Sequence, residues 1–271
     1  MTKLPKSGPG SSESRGIKSV EIGYKVLLAV QRGPEAVQLS DIAKRTGLST
    51  GAAHNYIASL VKTGLVEQEG RGLYRLGPSA FALSLTSFRQ LNGYEIVRSE
   101  AQTLQQITGR TVAVSVWSQG GPVSILIQRS DDLGPIDFRP GLIPILQSGV
   151  GMVFAAYLPA DLTQDLITSE LEDGGTWQSA PQFIEFCQHS VLPRGYAHYK
   201  RQTPTYDALS APIWTSDNRI AFVTSVVATA DTNAEKEKSL ASALLESARR
   251  ASLFLGGTTT VGPQAVYPPL S

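Results

Sequence analysis

The sequence predicts an α+β protein in two parts. A winged helix-turn-helix comes first, and a linker helix joins it to a larger domain built on an antiparallel sheet with helical cover. Three observations predict this. Residues 39–60 read as two short helices broken at Gly47. Two short apolar runs then flank Gly70-Arg71-Gly72. Beyond Gly109 the apolar spacing changes from a helical period to a period of two.

The first element is Leu39-Ser-Asp-Ile-Ala-Lys-Arg-Thr-Gly-Leu-Ser-Thr-Gly-Ala-Ala-His-Asn-Tyr-Ile-Ala-Ser-Leu60. Ser40 is expected to cap the first helix and Ser49 the second, because a hydroxyl there accepts an otherwise unpaired N–H. Ala53, Ile57 and Leu60 fall at the spacing of a buried stripe. Thr50, Gly51, Ala52, Asn55 and Ser59 are then free to face a groove, as on a helix that reads DNA base edges. Packing or backbone bonding is the expected role of His54, ahead of a base contact. Upstream, Val20, Tyr24, Leu27 and Leu28 form an amphipathic helix that roofs the motif. Downstream, Leu65 to Leu76 reads as a hairpin with Arg71 at its tip, positioned for a phosphate or the minor groove. A helical unit used only for protein contacts is the alternative.

Charge favours nucleic acid. Residues 1–78 hold 11 Lys and Arg against 6 Asp and Glu, whereas the remainder holds 13 against 17. The near-neutral total hides a basic N-terminal part, which attracts phosphates, and an acidic C-terminal part, which is repelled by them. Lys18, Lys25, Lys44, Arg45, Lys62 and Arg71 are the expected phosphate contacts, each with an ordinary surface charge as its alternative.

The chain has 271 residues and one cysteine, Cys187. At roughly 100–200 residues per domain this length suits two domains. No apolar run approaches the ~20 residues of a membrane span. A single cysteine cannot form an intramolecular disulfide and fits a reducing cytoplasm. The expected organisation is a disordered tail at 1–16, the winged helix-turn-helix at 17–78, the linker helix at 79–93, the sheet domain at 94–257 and a flexible tail at 258–271. Apolar residues on the linker helix suit a homodimer partner, and a palindromic operator needs two reading heads.

In the second domain a helix is expected at Tyr94–Thr108. Strands are expected at Thr111–Ser118, Pro122–Arg129, Gly195–Gln202, Tyr206–Trp214 and Arg219–Ala228. Helices are expected at Gly149–Leu158, Leu162–Leu171, Pro181–Val191 and Ala234–Leu255. Ser148 precedes Gly149-Val150-Gly151 at one helix start. The first turn of a helix carries unpaired N–H groups and a partial positive charge, so a small carboxylate suits it. Glycines at a helix start also serve packing alone, which is the competing reading.

The chain resembles the IclR family of bacterial transcriptional regulators over roughly residues 17 to 257. The resemblance rests on the helix-turn-helix and wing, ending in Leu73-Tyr-Arg-Leu-Gly-Pro78. It continues in Thr108-Gly-Arg-Thr-Val112, Ile143-Pro-Ile-Leu-Gln-Ser-Gly-Val-Gly-Met152, Arg194-Gly-Tyr-Ala197 and Leu209-Ser-Ala-Pro-Ile213. It implies a GAF-like effector-binding domain, and dimers often paired into dimers of dimers on DNA. It also implies an effector held by Gly149 and Val150 amides, with Tyr199, Ala208, Ser225 and Val227 lining the site.

Two departures set expectations for this chain. Where many members carry acidic residues after Gly-Tyr-Ala, this chain has His198-Tyr199-Lys200-Arg201. Where they carry Lys after Gly-x-Gly, it has Met152. His198 is expected to contact ligand or solvent. Tyr199 and Tyr206, with Trp214 nearby in sequence, suit an aromatic carboxylate such as a hydroxybenzoate better than a small keto acid. In the reading helix many members have Arg where this chain has Asn55, and Asn pairs with adenine where Arg prefers guanine.

The expected function is therefore a repressor of catabolic genes, released or engaged by a small carboxylate, with no cofactor. An activator responding to a small keto acid is the alternative within the family. An enzyme is the rival class, but His54, His189 and His198 form no metal-ligand spacing, and no nucleophile elbow or phosphate-binding loop occurs.

Overall fold

The computed structural model describes residues 16–33, 35–130, 138–174, 177–202, 205–229 and 233–257. The two expected tails lie outside these residues, apart from Gly16. The chain divides into two compact units, one ending at Gln90 and the other beginning at Leu91.

The first unit comprises α1 (Lys18–Gln31), β1 (Val37–Gln38), α2 (Leu39–Thr46), α3 (Thr50–Lys62), β2 (Val66–Gln68), β3 (Leu73–Leu76) and α4 (Pro78–Gln90). Its core joins Val26, Ala29 and Val30 of α1 to Ile42, Ile57, Val66 and Tyr74. Leu27 packs against that core, whereas Val20 and Tyr24 are exposed, so the buried stripe of α1 lies elsewhere than the sequence reading put it. Gly47 closes α2 in the left-handed region at φ 68°, where a side chain would be strained.

Ser40 does not cap α2. Gln38 holds the N-cap position without a side-chain bond. The reason is a third strand that the sequence reading missed. β1 pairs with β3, giving the order β1-β3-β2, and the Leu39 amide then bonds the Gly72 carbonyl at 3.1 Å. The wing keeps the chain extended only up to Gln38 and satisfies the Leu39 amide, so the helix begins at Leu39 and Ser40 falls inside its first turn rather than at the cap. Along α4, Phe81, Leu83 and Leu85 are half or more exposed.

The second unit comprises α5 (Tyr94–Thr108), β4 (Thr111–Ser118), β5 (Gly121–Gln128), β6 (Gly141–Leu142), α6 (Gly149–Tyr157), α7 (Ala160–Glu172), α8 (Ala180–Val191), β7 (Ala197–Gln202), β8 (Thr205–Trp214), β9 (Ile220–Thr229) and α9 (Ala234–Phe254). The six strands form one antiparallel sheet in the order β6-β5-β4-β9-β8-β7. On one face α5 and α9 bury Val97, Leu104, Leu244 and Ala248 against Val112, Val114, Leu209, Ile213 and Phe222. On the other face α6 and α8 bury Val153, Phe154, Phe183 and Cys187. Each such large side chain contributes about 1.5–3 kcal/mol on burial. Burial also raises the Cys187 thiol far above its ordinary pKa, so it stays protonated and inert.

Strand alternation decides which residues reach the site. Cross-strand partners share a face, so Tyr199, Ala208 and Val227 lie together, as do Ala197, Ser210 and Ser225. Their neighbours His198, Leu209 and Val226 point to the α5–α9 face.

Candidate functional site

The DNA-reading candidates gather on α3 and its surroundings. Ser49 caps α3, accepting the Ala52 amide at 3.3 Å. Ala53 and Ile57 are buried, and Leu60 packs against the same core. That orientation exposes Thr50, Gly51, His54, Asn55, Ser59 and Lys62, with Ala52 half-buried. His54 is thus a surface residue beside Asn55 and not the packed residue expected. The Ser59 hydroxyl donates to the Asn55 carbonyl at 3.0 Å, which leaves its oxygen free to accept only. Gly51 has open space where a Cβ would stand, with nothing within 4 Å.

Lys18, Lys25, Lys44 and Arg71 are exposed, and so is Ser40 on α2. Arg45 is exposed in part but donates to the Ala29 carbonyl of α1 at 3.2 Å. It ties α2 to α1, a structural task that the sequence reading did not foresee. Arg71 stands between Gly70 and Gly72, both at positive φ, at the tip of the wing. Arg75 on β3 is held by Glu67 at 2.6 Å and approaches Glu69 at 3.7 Å. This leaves Arg71 as the cation at the wing tip.

The second candidate site is the start of α6. Ser148 caps it: its hydroxyl oxygen accepts the Gly151 amide at 2.9 Å and its hydroxyl donates to the Pro144 carbonyl at 2.7 Å. The next two amides, those of Gly149 and Val150, are buried and make no hydrogen bond among the described residues. A buried unpaired N–H costs about 1–3 kcal/mol, so this helix start is poised to take an acceptor. A Cβ on Gly149 would lie 2.6 Å from the Ser210 hydroxyl oxygen and 3.4 Å from the Ala208 carbonyl oxygen. The first turn therefore rests directly on β8. Packing, one of the two readings the sequence offers for this helix start, operates at this glycine.

Beside that contact lies an aromatic cluster. Tyr206, Ala208 and Val227 are buried together, with Phe138 and Tyr199 against them. Phe138 meets Tyr206 edge-on at 5.3 Å, and the Arg201 guanidinium lies 5.8 Å over the Tyr206 ring. Burial, with Tyr206 close by, raises the Tyr199 phenol above its ordinary pKa while Arg201 pulls the other way, so Tyr199 remains a neutral hydroxyl. Ser225 bonds Ser210 hydroxyl to hydroxyl at 2.7 Å, two residues along the strand from Val227 and on the same face.

His198 is not part of this group. Its strand position sends it to the opposite face, where Nδ1 lies 3.0 Å from Glu237 of α9 and Nε2 lies 3.5 Å from Asp207. Trp214 also departs from the expectation, packing on Tyr157 at the far end of α6. Phe138 and Ser210 were missed: Phe138 precedes β6 in a segment without periodicity, and Ser210 is visible only once β8 and β9 are in register. Among the described residues no group of three or more His, Cys, Asp or Glu could hold a metal ion, and no helix is long and apolar enough to cross a membrane.

Residues 19–70 match the model of the IclR helix-turn-helix domain. The chain is 27% identical to the glycerol operon regulatory protein of Streptomyces coelicolor, over 74% of this chain and 80% of that one. It is 26% identical to the transcriptional repressor IclR of Escherichia coli, over 56% and 57%. Among solved structures, a regulator from Silicibacter shares the fold with a TM-score of 0.72, at 19% identity over 93% of this chain and 98% of that one. An IclR homolog from Microbacterium hydrocarbonoxydans, solved with 4-hydroxybenzoate, has a TM-score of 0.58 at 17% identity, over 88% and 98%. These relatives are regulators and not enzymes. The helix-turn-helix, the sheet domain that follows it and these likenesses agree: residues 19–70 form an IclR-type helix-turn-helix domain, and the chain is similar to IclR-family transcriptional regulators along most of its length.

Proposed function

We propose that this regulator is a repressor of catabolic genes in the bacterial cytoplasm, and that an aromatic carboxylate such as a hydroxybenzoate controls its grip on the operator. The observation that carries the proposal is the pair of unpartnered buried amides at Gly149 and Val150 set beside an aromatic cluster. A carboxylate accepts from both amides and gains from the helix dipole. An aromatic ring attached to it meets Tyr199, Tyr206 and Phe138, with Ala208 and Val227 beneath and Ser225 nearby. The 4-hydroxybenzoate bound by the Microbacterium homolog supports that ligand class. The repressor named in Escherichia coli supports the sign.

In the first unit, Thr50, Gly51, Ala52 and Asn55 read base edges, with His54 and Ser59 beside them. Lys18, Lys25, Lys44, Lys62 and Arg71 supply phosphate contacts. The exposed Phe81, Leu83 and Leu85 of α4 suit a homodimer, which brings two reading heads to one operator. DNA and effector affinities are coupled through the linker and the dimer arrangement, and the coupling is reciprocal. No cofactor beyond the effector is required.

Calorimetric titration tests the ligand class. Heat is expected with 4-hydroxybenzoate and none with glyoxylate or pyruvate. Heat with the keto acids alone overturns the proposal.

A further inference from the structure

One carboxylate outside the proposed site is bonded to the backbone that leads into it. Glu170 of α7 reaches across to the segment that leads into α6 and accepts two backbone amides there. Its Oε1 takes the Ile145 amide at 2.9 Å and its Oε2 the Leu146 amide at 3.0 Å. Both residues bury their side chains, 1% and 8% exposed, so no solvent-facing turn offers these amides an easy substitute. Hydrogen bonds to a charged acceptor are roughly twice as strong as neutral ones.

The clamped segment sets the position of the first turn of α6. A Cβ on Gly151 would stand 2.1 Å from the Ile145 carbonyl oxygen and 2.5 Å from its Cα, so these backbones touch with no room for displacement inward. The Ser148 hydroxyl ties the same segment again through Pro144. Gly149 and Val150 lie between these two fixed points.

We propose that Glu170 is a positioning residue of the carboxylate site. It touches no ligand. It holds Ile145 and Leu146 in place, and they hold the Gly149 and Val150 amides where they converge beside Ala208. This rests on the reading of the α6 start as the effector site. It adds a residue that neither the family resemblance nor any motif singles out.

Glu170→Gln is the test, with Glu172→Gln on the exposed side of the same helix as control. Glutamine keeps the size but sets an N–H₂ donor against an amide donor. Calorimetry with 4-hydroxybenzoate is expected to show at least about tenfold weaker binding for Glu170→Gln, as loss of one charge-assisted bond implies, and none for Glu172→Gln. Amide exchange is expected to quicken at 145–151 and to stay unchanged in α8. A merely structural role would lower the melting temperature and leave the folded protein's affinity as in wild type, which overturns the proposal. If Glu170→Gln does not fold, exchange in the wild type decides: Ile145 and Leu146 amides as slow as those of β8 support the clamp, and fast exchange overturns it. If wild type takes up no 4-hydroxybenzoate, the effector reading fails separately, and exchange at 149–151 in Glu170→Gln still supports or overturns the clamp.

Discussion

The starts of α3 and α6 are written alike and used differently. Each has a serine cap accepting the amide three residues on, Ser49 from Ala52 and Ser148 from Gly151. Each has glycine in its first turn. At α3 the glycine faces open space, whereas at α6 Gly149 and Gly151 are pressed against Ser210 and Ile145. One start is offered outward and the other is closed over the sheet. A buried start holds its amides away from bulk solvent, which suits a small anion. An exposed start has its amides in water and gains only what a large partner brings. The same local grammar therefore serves the proposed DNA reading in one unit and the proposed effector binding in the other.

Substitutions at the glycines should separate the two. Gly151→Ala is expected to do most harm, because its methyl group meets backbone that cannot rotate away; a loss of about 3 kcal/mol in stability, read by denaturant unfolding, follows from such overpacking. Gly149→Ala meets the Ser210 hydroxyl closely, at 2.6 Å, and the Ala208 carbonyl oxygen only at 3.4 Å. It should cost about 1 kcal/mol in stability through the Ser210–Ser225 bond, while calorimetry should show 4-hydroxybenzoate affinity falling by far more than that.

Gly51→Ala should have the opposite sign in folding. Alanine gains up to about 1 kcal/mol over glycine within a helix, and nothing obstructs it here. A higher melting temperature with weaker operator binding would mark Gly51 as a place where DNA comes close; unchanged operator binding would remove it from the reading face. The smallest effect is expected at the wing. Arg71→Ala should weaken binding evenly across DNA sequences and reduce the salt dependence by about one phosphate's worth, measured as the slope of log affinity against log salt.

The comparison also explains how far the sequence could be read. Helix spacing and turn glycines are local, so the helix-turn-helix, the wing and nearly every strand of the sheet domain could be placed from residues alone. What failed depended on distant partners. Ser40 lost its cap role because β1 pairs with β3 and brings the Gly72 carbonyl to the helix start. His198 went to the wrong side of the site because one residue of register reverses a strand's faces. Val20 and Tyr24 looked like a buried stripe, yet α1 turns Val26, Ala29 and Val30 inward. Phe138 and Glu170 had no pattern to announce them, since each acts through a contact with a remote segment. The reason for a glycine is likewise tertiary: Gly51 and Gly149 look equivalent until their neighbours are known.

The central claim is that ligand at the α6 start governs DNA affinity. Fluorescence anisotropy with labelled DNA from upstream of the chain's own gene tests it directly, with and without 4-hydroxybenzoate. The account predicts binding that the ligand weakens by at least about fivefold, the lower end of allosteric couplings, and a Gly149→Ala protein that binds the DNA but ignores the ligand. Equal DNA affinity with and without ligand, in wild-type protein that calorimetry shows to be saturated, would contradict it.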